Sequence, residues 1–409
     1  MAVNLKPETP EQVREAVAWA VGEETPLEIV CGGSKRAMGR PTNIENKLDV
    51  SALRGITLYE AEELVLSAGP GTPMVEIETA LAEQRQQLAF EPPDLGPLLG
   101  VGPGIATLGG TIACNLAGPR RLKAGAARDH FLGFSAVSGR GETFKSGGRV
   151  VKNVTGYDLS KLLCGSWGTL GVMTSLTVKV LPAAESTRTV LLFGLDPEAA
   201  AKAMTAAMAT PYEVSGAAYL PAAIAASTGV SYVADAGASV TAIRVEGPKP
   251  SVEYRCDALK RQLGGPGETE ELHGKNSAAL WRSVRDVSPF AAPDDDRCVW
   301  RLSVPPKDGA AVMQRLLAGA DGDAAYLDWA GGLVWLATRA LDDANHETVR
   351  GTLAATGGHA TLMRAPEPVR AAVPVFQPPS PGVARLSRGV KENFDPRGVL
   401  NPGRMYAGG

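Results

Sequence analysis

The stretch Thr107-Leu-Gly-Gly-Thr-Ile-Ala-Cys-Asn-Leu-Ala-Gly-Pro-Arg-Arg121 carries three glycines and almost no charge until two arginines close it. Glycine lets a main chain approach another body closely. Arginines placed directly afterwards suit an anion that also has a bulky apolar part. Cys31-Gly32-Gly33-Ser34-Lys35-Arg36 points the same way. Small residues after a strand can turn several N–H groups toward one anion, with a hydroxyl and two cations beside them. A plain β-turn is the bland reading of that stretch alone. Gly69-Pro70-Gly71 makes a further turn. Gly168-Thr169-Leu170-Gly171-Val172 reads either as another backbone contact surface or as a β-bulge before a strand.

Several chemistries are missing. No G-x-G-x-x-G or G-x-x-x-x-G-K-[ST] motif occurs, and strands do not alternate regularly with long helices, which argues against dinucleotide-binding α/β sheets and P-loops. There is no H-E-x-x-H pair and no G-x-S-x-G elbow. The histidines are His130, His273, His346 and His359. The five cysteines, Cys31, Cys114, Cys164, Cys256 and Cys298, are scattered, so neither an iron–sulfur cluster nor a structural zinc is expected. No metal site is expected at all. An odd cysteine count argues against a disulfide framework. The N-terminus lacks the apolar core of a signal peptide, and no apolar run suits a transmembrane helix. A cytoplasmic location follows as the expectation. A net charge of -3 gives no global field for nucleic acid or an anionic membrane.

These loops need elements to hold them. Thr9, Pro10 and Gln12 form a helix start, and Val13, Ala16, Val17, Ala20 and Val21 follow at helical spacing. Leu27, Ile29 and Cys31 alternate into the Gly32 turn. A strand ends at Gly69, and a helix with Met74, Ile77 and Leu81 on one side follows. Residues 91–111 read as irregular, 131–151 as short strands, and 172–180 as a clean alternating strand stopped by Pro182. The chain then turns alanine-rich, with two successive β-α-β-β-α runs over 187–263 and 298–364, which implies antiparallel sheets with helices on one face. Residues 365–384 read as a proline-rich linker before a last helix and an ordered tail. The length suggests about two to three domains. We divide the chain into 1–182, 183–370, and a C-terminal segment, 371–409, that returns to the first domain.

The ordered set of glycine turns resembles the FAD-binding domain of the vanillyl-alcohol oxidase and p-cresol methylhydroxylase superfamily. "FEPPDLGPLLG", "GTIACNLAGPRRLKAGAARDH", "GGRVVKNVTGYDLSKLLCGSWGTLGV" and "FDPRGVLNPGRMY" are similar to the FAD-binding subunits of bacterial glycolate dehydrogenases (glycolate oxidases). The resemblance implies an α+β fold: a PCMH-type FAD-binding domain of two α+β subdomains, with a C-terminal ferredoxin-like antiparallel-sheet cap. It implies that Cys31, Gly32, Gly33, Ser34 and Lys35 cradle the FAD pyrophosphate. Thr107, Leu108, Gly109, Gly110, Thr111, Asn115 and Gly118 would wrap the flavin and its phosphates. Gly168, Thr169, Gly171 and Val172 would meet the adenine side, and Asn401 would join from the tail. With no histidine at 31–36, the FAD is expected to be non-covalent; Cys31 or Cys114 would be the remaining points of covalent attachment.

Oxidising a 2-hydroxy acid needs a carboxylate clamp and a base. The candidate cations are Arg120, Arg121, Lys123, Lys152 and Arg404; phosphate contacts, surface charge or subunit docking are their other readings. Hydroxy-acid dehydrogenases of the superfamily carry a His-Gly-Asp-x-Asn type motif in the C-terminal half. Here His273-Gly274 continues as Lys275-Asn276. The resemblance therefore implies an accessory or electron-relaying FAD subunit of a glycolate dehydrogenase complex. A catalytic FAD subunit and an iron–sulfur subunit would be its partners, with peripheral membrane association through them. A stand-alone 2-hydroxy-acid dehydrogenase and a scaffold with an empty FAD site are the alternatives. The catalytic residues are left unassigned.

Overall fold

The computed structural model describes residues 2–148, 156–264 and 269–408. The chain divides into two compact units. The first spans Met1–Leu116, Gly125–Ala183 and Pro374–Gly409; the second spans Ala117–Ala124 and Ala184–Val373.

In the first unit the helix Pro10–Gly22 starts at Thr9, whose hydroxyl accepts from Gln12 N. The Gln12 side chain reaches back one residue further than a capping box, to Glu8 N at 2.7 Å. Val13, Val17 and Ala20 form the buried stripe and pack with Leu27, Leu48, Val137, Val172 and Leu400. Beneath lies a parallel sheet in the order Asn4–Leu5, Asn46–Asp49, Leu27–Val30. A second, antiparallel sheet runs Ile56–Glu60, Val65–Ala68, Val172–Lys179, Phe131–Val137, Thr143–Gly147. Its middle strand buries Val172, Thr174, Leu176 and Val178, the alternating set. Residues 91–111, read as irregular, contain the helix start of Leu108–Ala113, with Thr107 as its N-cap. The proposed linker after 365 contains the helix Glu367–Ala372, and Pro381–Phe394 begins within it.

The tail closes an edge of the first sheet. Leu27 N donates to Val399 O, and Asn401 N donates to Leu27 O. Asp395 is buried below this junction.

The second unit is one eight-stranded antiparallel sheet. Its order is Thr269–His273, Ser186–Phe193, Val240–Gly247, Gly216–Leu220, Ala324–Asp328, Leu333–Thr338, Cys298–Ser303, His359–Arg364. Each half has a β-α-β-β-α-β course with its first strand between the third and fourth, the ferredoxin-like order. The two halves join through Tyr219 and Leu327. The strand Thr269–His273 and the helix Gly274–Arg285 were not foreseen. The strand is an edge held by polar groups: Glu271 accepts from Arg188 at 2.7 Å and from Lys260 at 2.9 Å. The helix packs on the sheet face that bears Thr189 and Arg244, with Trp281 Nε1 donating to Thr189 at 2.8 Å.

That face also holds Glu246, to which Arg120 donates twice at 2.9 Å. Burial pushes the Glu246 carboxyl up, but Arg244 and Arg120 outweigh it and hold its pKa at about 2. A folded-state value below the ordinary 4.5 means that the stabilisation is complete above the ordinary value and lost as pH falls toward the folded one. The shift corresponds to about 3 kcal/mol. E246Q should therefore lower neutral-pH stability and flatten the stability curve between about pH 4.5 and about pH 2. Denaturant melts at several pH values check this; a parallel downward shift of the whole curve would contradict it.

Candidate functional site

A cleft, open to solvent at its mouth, lies within the first unit. The turn after the strand Leu27–Val30 forms one wall. Gly32 and Gly33 have φ of 69° and 76°, a backbone that other L-residues rarely adopt. Among the described residues, no protein acceptor meets the main-chain N–H groups of Gly32, Gly33, Ser34 or Lys35. Lys35 is buried beside them, its ammonium donating, among the described residues, to Ser34 Oγ at 3.2 Å. Burial draws the Lys35 pKa below the ordinary lysine range. The turn is thus a set of unmet donors around a desolvated cation.

The helix Leu108–Ala113 forms the opposing wall. Its two glycines have different work. A Cβ on Gly109 would lie 2.7 Å from Pro70 Cβ, so that glycine serves close packing on the 69–71 turn. A Cβ on Gly110 would meet Thr107 Oγ1 at 3.4 Å, Lys35 Nζ at 3.6 Å and Cys31 O at 4.0 Å, facing the cleft. The buried Thr111 hydroxyl has no hydrogen-bond partner among the described residues. Thr107 caps the helix and donates to Cys31 O at 3.3 Å.

Gly168 and the tail complete the rim. Gly168 has φ of 72°, and a Cβ there would come within 2.8 Å of Asn401 Nδ2. Asn401 accepts from Ile29 N and donates to Trp167 O, both at 2.8 Å, so its amide braces the rim. Arg404 donates to the carbonyls of Arg40, Lys35 and Arg36, which fixes the far side of the cation-bearing turn.

Among the described residues, the carboxylate and thiols that line the cleft supply no reactive base. Glu28 is gripped by Arg36 through two bonds, at 2.9 and 2.8 Å. Burial pushes the thiols of Cys31 and Cys114 up to about 11, so both are neutral thiols at physiological pH. Unmet N–H donors, a buried ammonium, an orphaned hydroxyl and glycine-smoothed walls fit a dinucleotide with a charged middle and a flat ring.

Comparison with known proteins agrees. An FAD-binding domain family model matches residues 1–147. Over 395 residues the chain is 36% identical to the glycolate oxidase subunit GlcE of Escherichia coli (strain K12), covering 96% of each chain. The chain belongs to the GlcE family. A 176-residue match, 33% identical, covers 43% of this chain and 35% of the glycolate oxidase subunit GlcD of Bacillus subtilis (strain 168). Substrate-bound p-cresol methylhydroxylase superposes with a TM-score of 0.68 at 15% identity, covering 98% of this chain and 88% of that one. The fold is thus of the PCMH type, and the GlcE family is one of FAD-dependent oxidoreductases.

Within this GlcE-type cleft the structure brings together Cys31, Gly33, Lys35, Gly109, Gly110, Gly168, Gly171, Val172, Asn401 and Arg404. Gly32, Ser34, Thr107 and Thr111 are not among its lining residues: Gly32 is exposed, the other three are buried, and Leu108 is core. Thr169 turns its hydroxyl to Ser166 O at 2.6 Å. Asn115 accepts from Arg128 N at 3.1 Å and does not line the cleft. Gly118, Arg120, Arg121 and Lys123 belong to the second unit. There Gly118 O accepts from Trp329 Nε1 at 3.0 Å, and Lys123 pairs with Glu213 at 2.9 Å. Lys152 lies outside the described residues. The sequence reading missed Pro70, Met173 and the Trp167 rim; only the fold shows that Pro70 turns inward against Gly109.

K35M should weaken FAD binding about tenfold or more, because it removes a charge-assisted donor, while far-UV circular dichroism stays native. Unchanged flavin affinity by fluorescence titration would remove Lys35 from the site.

Proposed function

We propose that the chain is the FAD-holding, accessory or electron-relaying subunit of a glycolate-oxidising assembly that makes glyoxylate. The observation that carries this reading is the Gly32–Lys35 turn, with its unmet N–H donors and buried ammonium, in a cleft that offers no free base. Bound FAD would supply the capacity to accept and pass on electrons. The residues here would grip its phosphates through Gly33, Ser34 and Lys35, and admit its ring beside Gly110. With both cleft thiols held neutral, the FAD is non-covalent.

The remaining chemistry falls to partners: a catalytic FAD subunit and an iron–sulfur subunit. Among the described residues no group of three or more His, Cys, Asp or Glu could hold a metal ion. No helix among them is long and apolar enough to cross a membrane, and we place the chain in the cytoplasm or peripherally at the inner membrane through its partners. The test is a visible spectrum of the purified chain before and after denaturation, then anaerobic glycolate. A flavin band that is released on denaturation, and that glycolate bleaches only when partners are present, is expected. A colourless chain that takes up no FAD would favour a scaffold. Bleaching of the isolated chain would make it a stand-alone dehydrogenase.

A further inference from the structure

The last helix, Pro381–Phe394, opens on Ser380 and Pro381 and runs 14 residues without one buried side chain. Its C-terminal end is fastened by Lys391 to Thr169 O and Leu400 O, and by Phe394 against Phe144. Val383, Leu386 and Val390 recur at spacings of three and four, which aligns them on one side of the helix. A stripe of that kind ordinarily faces a core. Here Val383 is 52% and Leu386 70% exposed.

The stripe lines a groove within the first unit. The groove's other walls come from the 165–170 stretch and from the tail at 405–408, and Leu162 and Tyr406 add further exposed apolar surface. A contiguous apolar patch edged by polar groups marks an interaction site. Among the described residues no carboxylate lines this one. Arg388 does line it, and Arg385 stands one turn earlier on the helix. Neither guanidinium has a hydrogen bond or ion pair among the described residues. The ammonium of Lys391 is balanced by Asp395. The groove is therefore apolar along its length and positive at its border.

A second copy of the chain, an anionic bilayer and another polypeptide are the occupants to weigh. Two copies packed groove to groove would bring cation toward cation with no carboxylate between them. A bilayer is broad, whereas a concavity between a helix, a loop and a tail admits a narrow body. The lining residues include no strand, so an extended peptide finds no edge to pair with. An amphipathic helix needs none, because it seats apolar residues at i, i+3, i+4 and i+7. We propose that this groove docks a helix of a partner polypeptide, its apolar stripe packed along Val383, Leu386 and Val390 and its carboxylates set against Arg385 and Arg388.

The position of the groove indicates which partner. Gly165, Ser166, Thr169 and Leu170 line the groove, while Trp167, Gly168 and Gly171 line the cleft. The tail divides in the same way, with Arg404 in the cleft and Met405 in the groove. A docked helix would lie behind a wall of the proposed flavin site. That the helix belongs to a subunit of the glycolate-oxidising assembly rests on the proposed function; the shape and charge of the groove do not.

The experiment titrates the full-length chain against the purified pair of catalytic FAD and iron–sulfur subunits, at low and high salt. L386E should melt as the wild type does and keep its flavin content, because Leu386 is largely exposed and lies outside the cleft. It should bind the pair about tenfold or more weakly, since it sets a charge in an apolar contact. R385E combined with R388E should also bind more weakly, and its affinity should no longer fall as salt rises. Wild-type affinity in a folded L386E chain overturns the groove and leaves the assembly reading standing. A wild-type chain that binds neither subunit overturns the assembly reading, and this inference with it. Sizing runs and sedimentation with phosphatidylglycerol vesicles test the other occupants. Self-association or vesicle binding that L386E abolishes, with affinity for the subunit pair intact, would assign the groove to a second copy or to a membrane and overturn the proposal.

Discussion

Replacing Asp395 with alanine is expected to cost about 3–5 kcal/mol, the range for breaking a buried ion pair by removing one partner. Its carboxylate is fully buried and joined to Lys391 Nζ at 2.6 Å. It also accepts from Val399 N at 3.0 Å and Leu400 N at 2.8 Å. Lys391 in turn donates to Thr169 O and Leu400 O, both at 2.8 Å. One carboxylate thus ties the last helix, the tail and the Gly168–Val172 turn together. Removing it leaves an ammonium in a dry site and two orphaned N–H groups. Chemical denaturation should show the lost stability, and flavin affinity should fall with it because the turn loses its tether. A D395A variant within about 1 kcal/mol of wild type would show that the knot is dispensable.

The second large effect separates two adjacent glycines. Gly109→Val forces a side chain into Pro70, including its carbonyl oxygen at 3.0 Å, and should cost about 3 kcal/mol of stability. Gly110→Val has only ordinary contacts at its Cβ, and it replaces a helical glycine, so the fold should hold within about 1 kcal/mol. Its branches instead enter the space before Lys35 Nζ, and FAD affinity should fall about a hundredfold, near 2.7 kcal/mol. Thermal melts and flavin titrations on both variants decide it. Wild-type FAD affinity in a folded Gly110→Val chain would mean that the ring and phosphates pass elsewhere.

Local patterns were legible where one face meets the core. The stripe Val13, Val17, Ala20 and the alternation from Val172 to Val178 could be read directly, because burial imposes the period. The edge strand Thr269–His273 was invisible for the opposite reason. Its Glu271 is satisfied by Arg188 and Lys260, and polar pairing leaves no apolar rhythm. At the site, the glycine turns announced a close approach. What they could not show was division of labour. Gly109 answers to Pro70 and Gly110 to the cleft, and the Asn401 amide also braces the strand at Ile29, 372 residues away. The arginines following Gly118 were legible as cations, but their partners, Glu246 and Trp329, are set by long-range pairing that no local spacing encodes.

The seam between Leu27 and the Val399–Asn401 stretch also orders events in time. The ribosome must deliver residue 401 before the strand leading into the phosphate-gripping turn gains its outer neighbour. A nascent chain therefore waits with that border raw until residue 401 has been made. A truncation before Val399 would leave that border open and would also take Asn401 and Arg404 from the cleft wall.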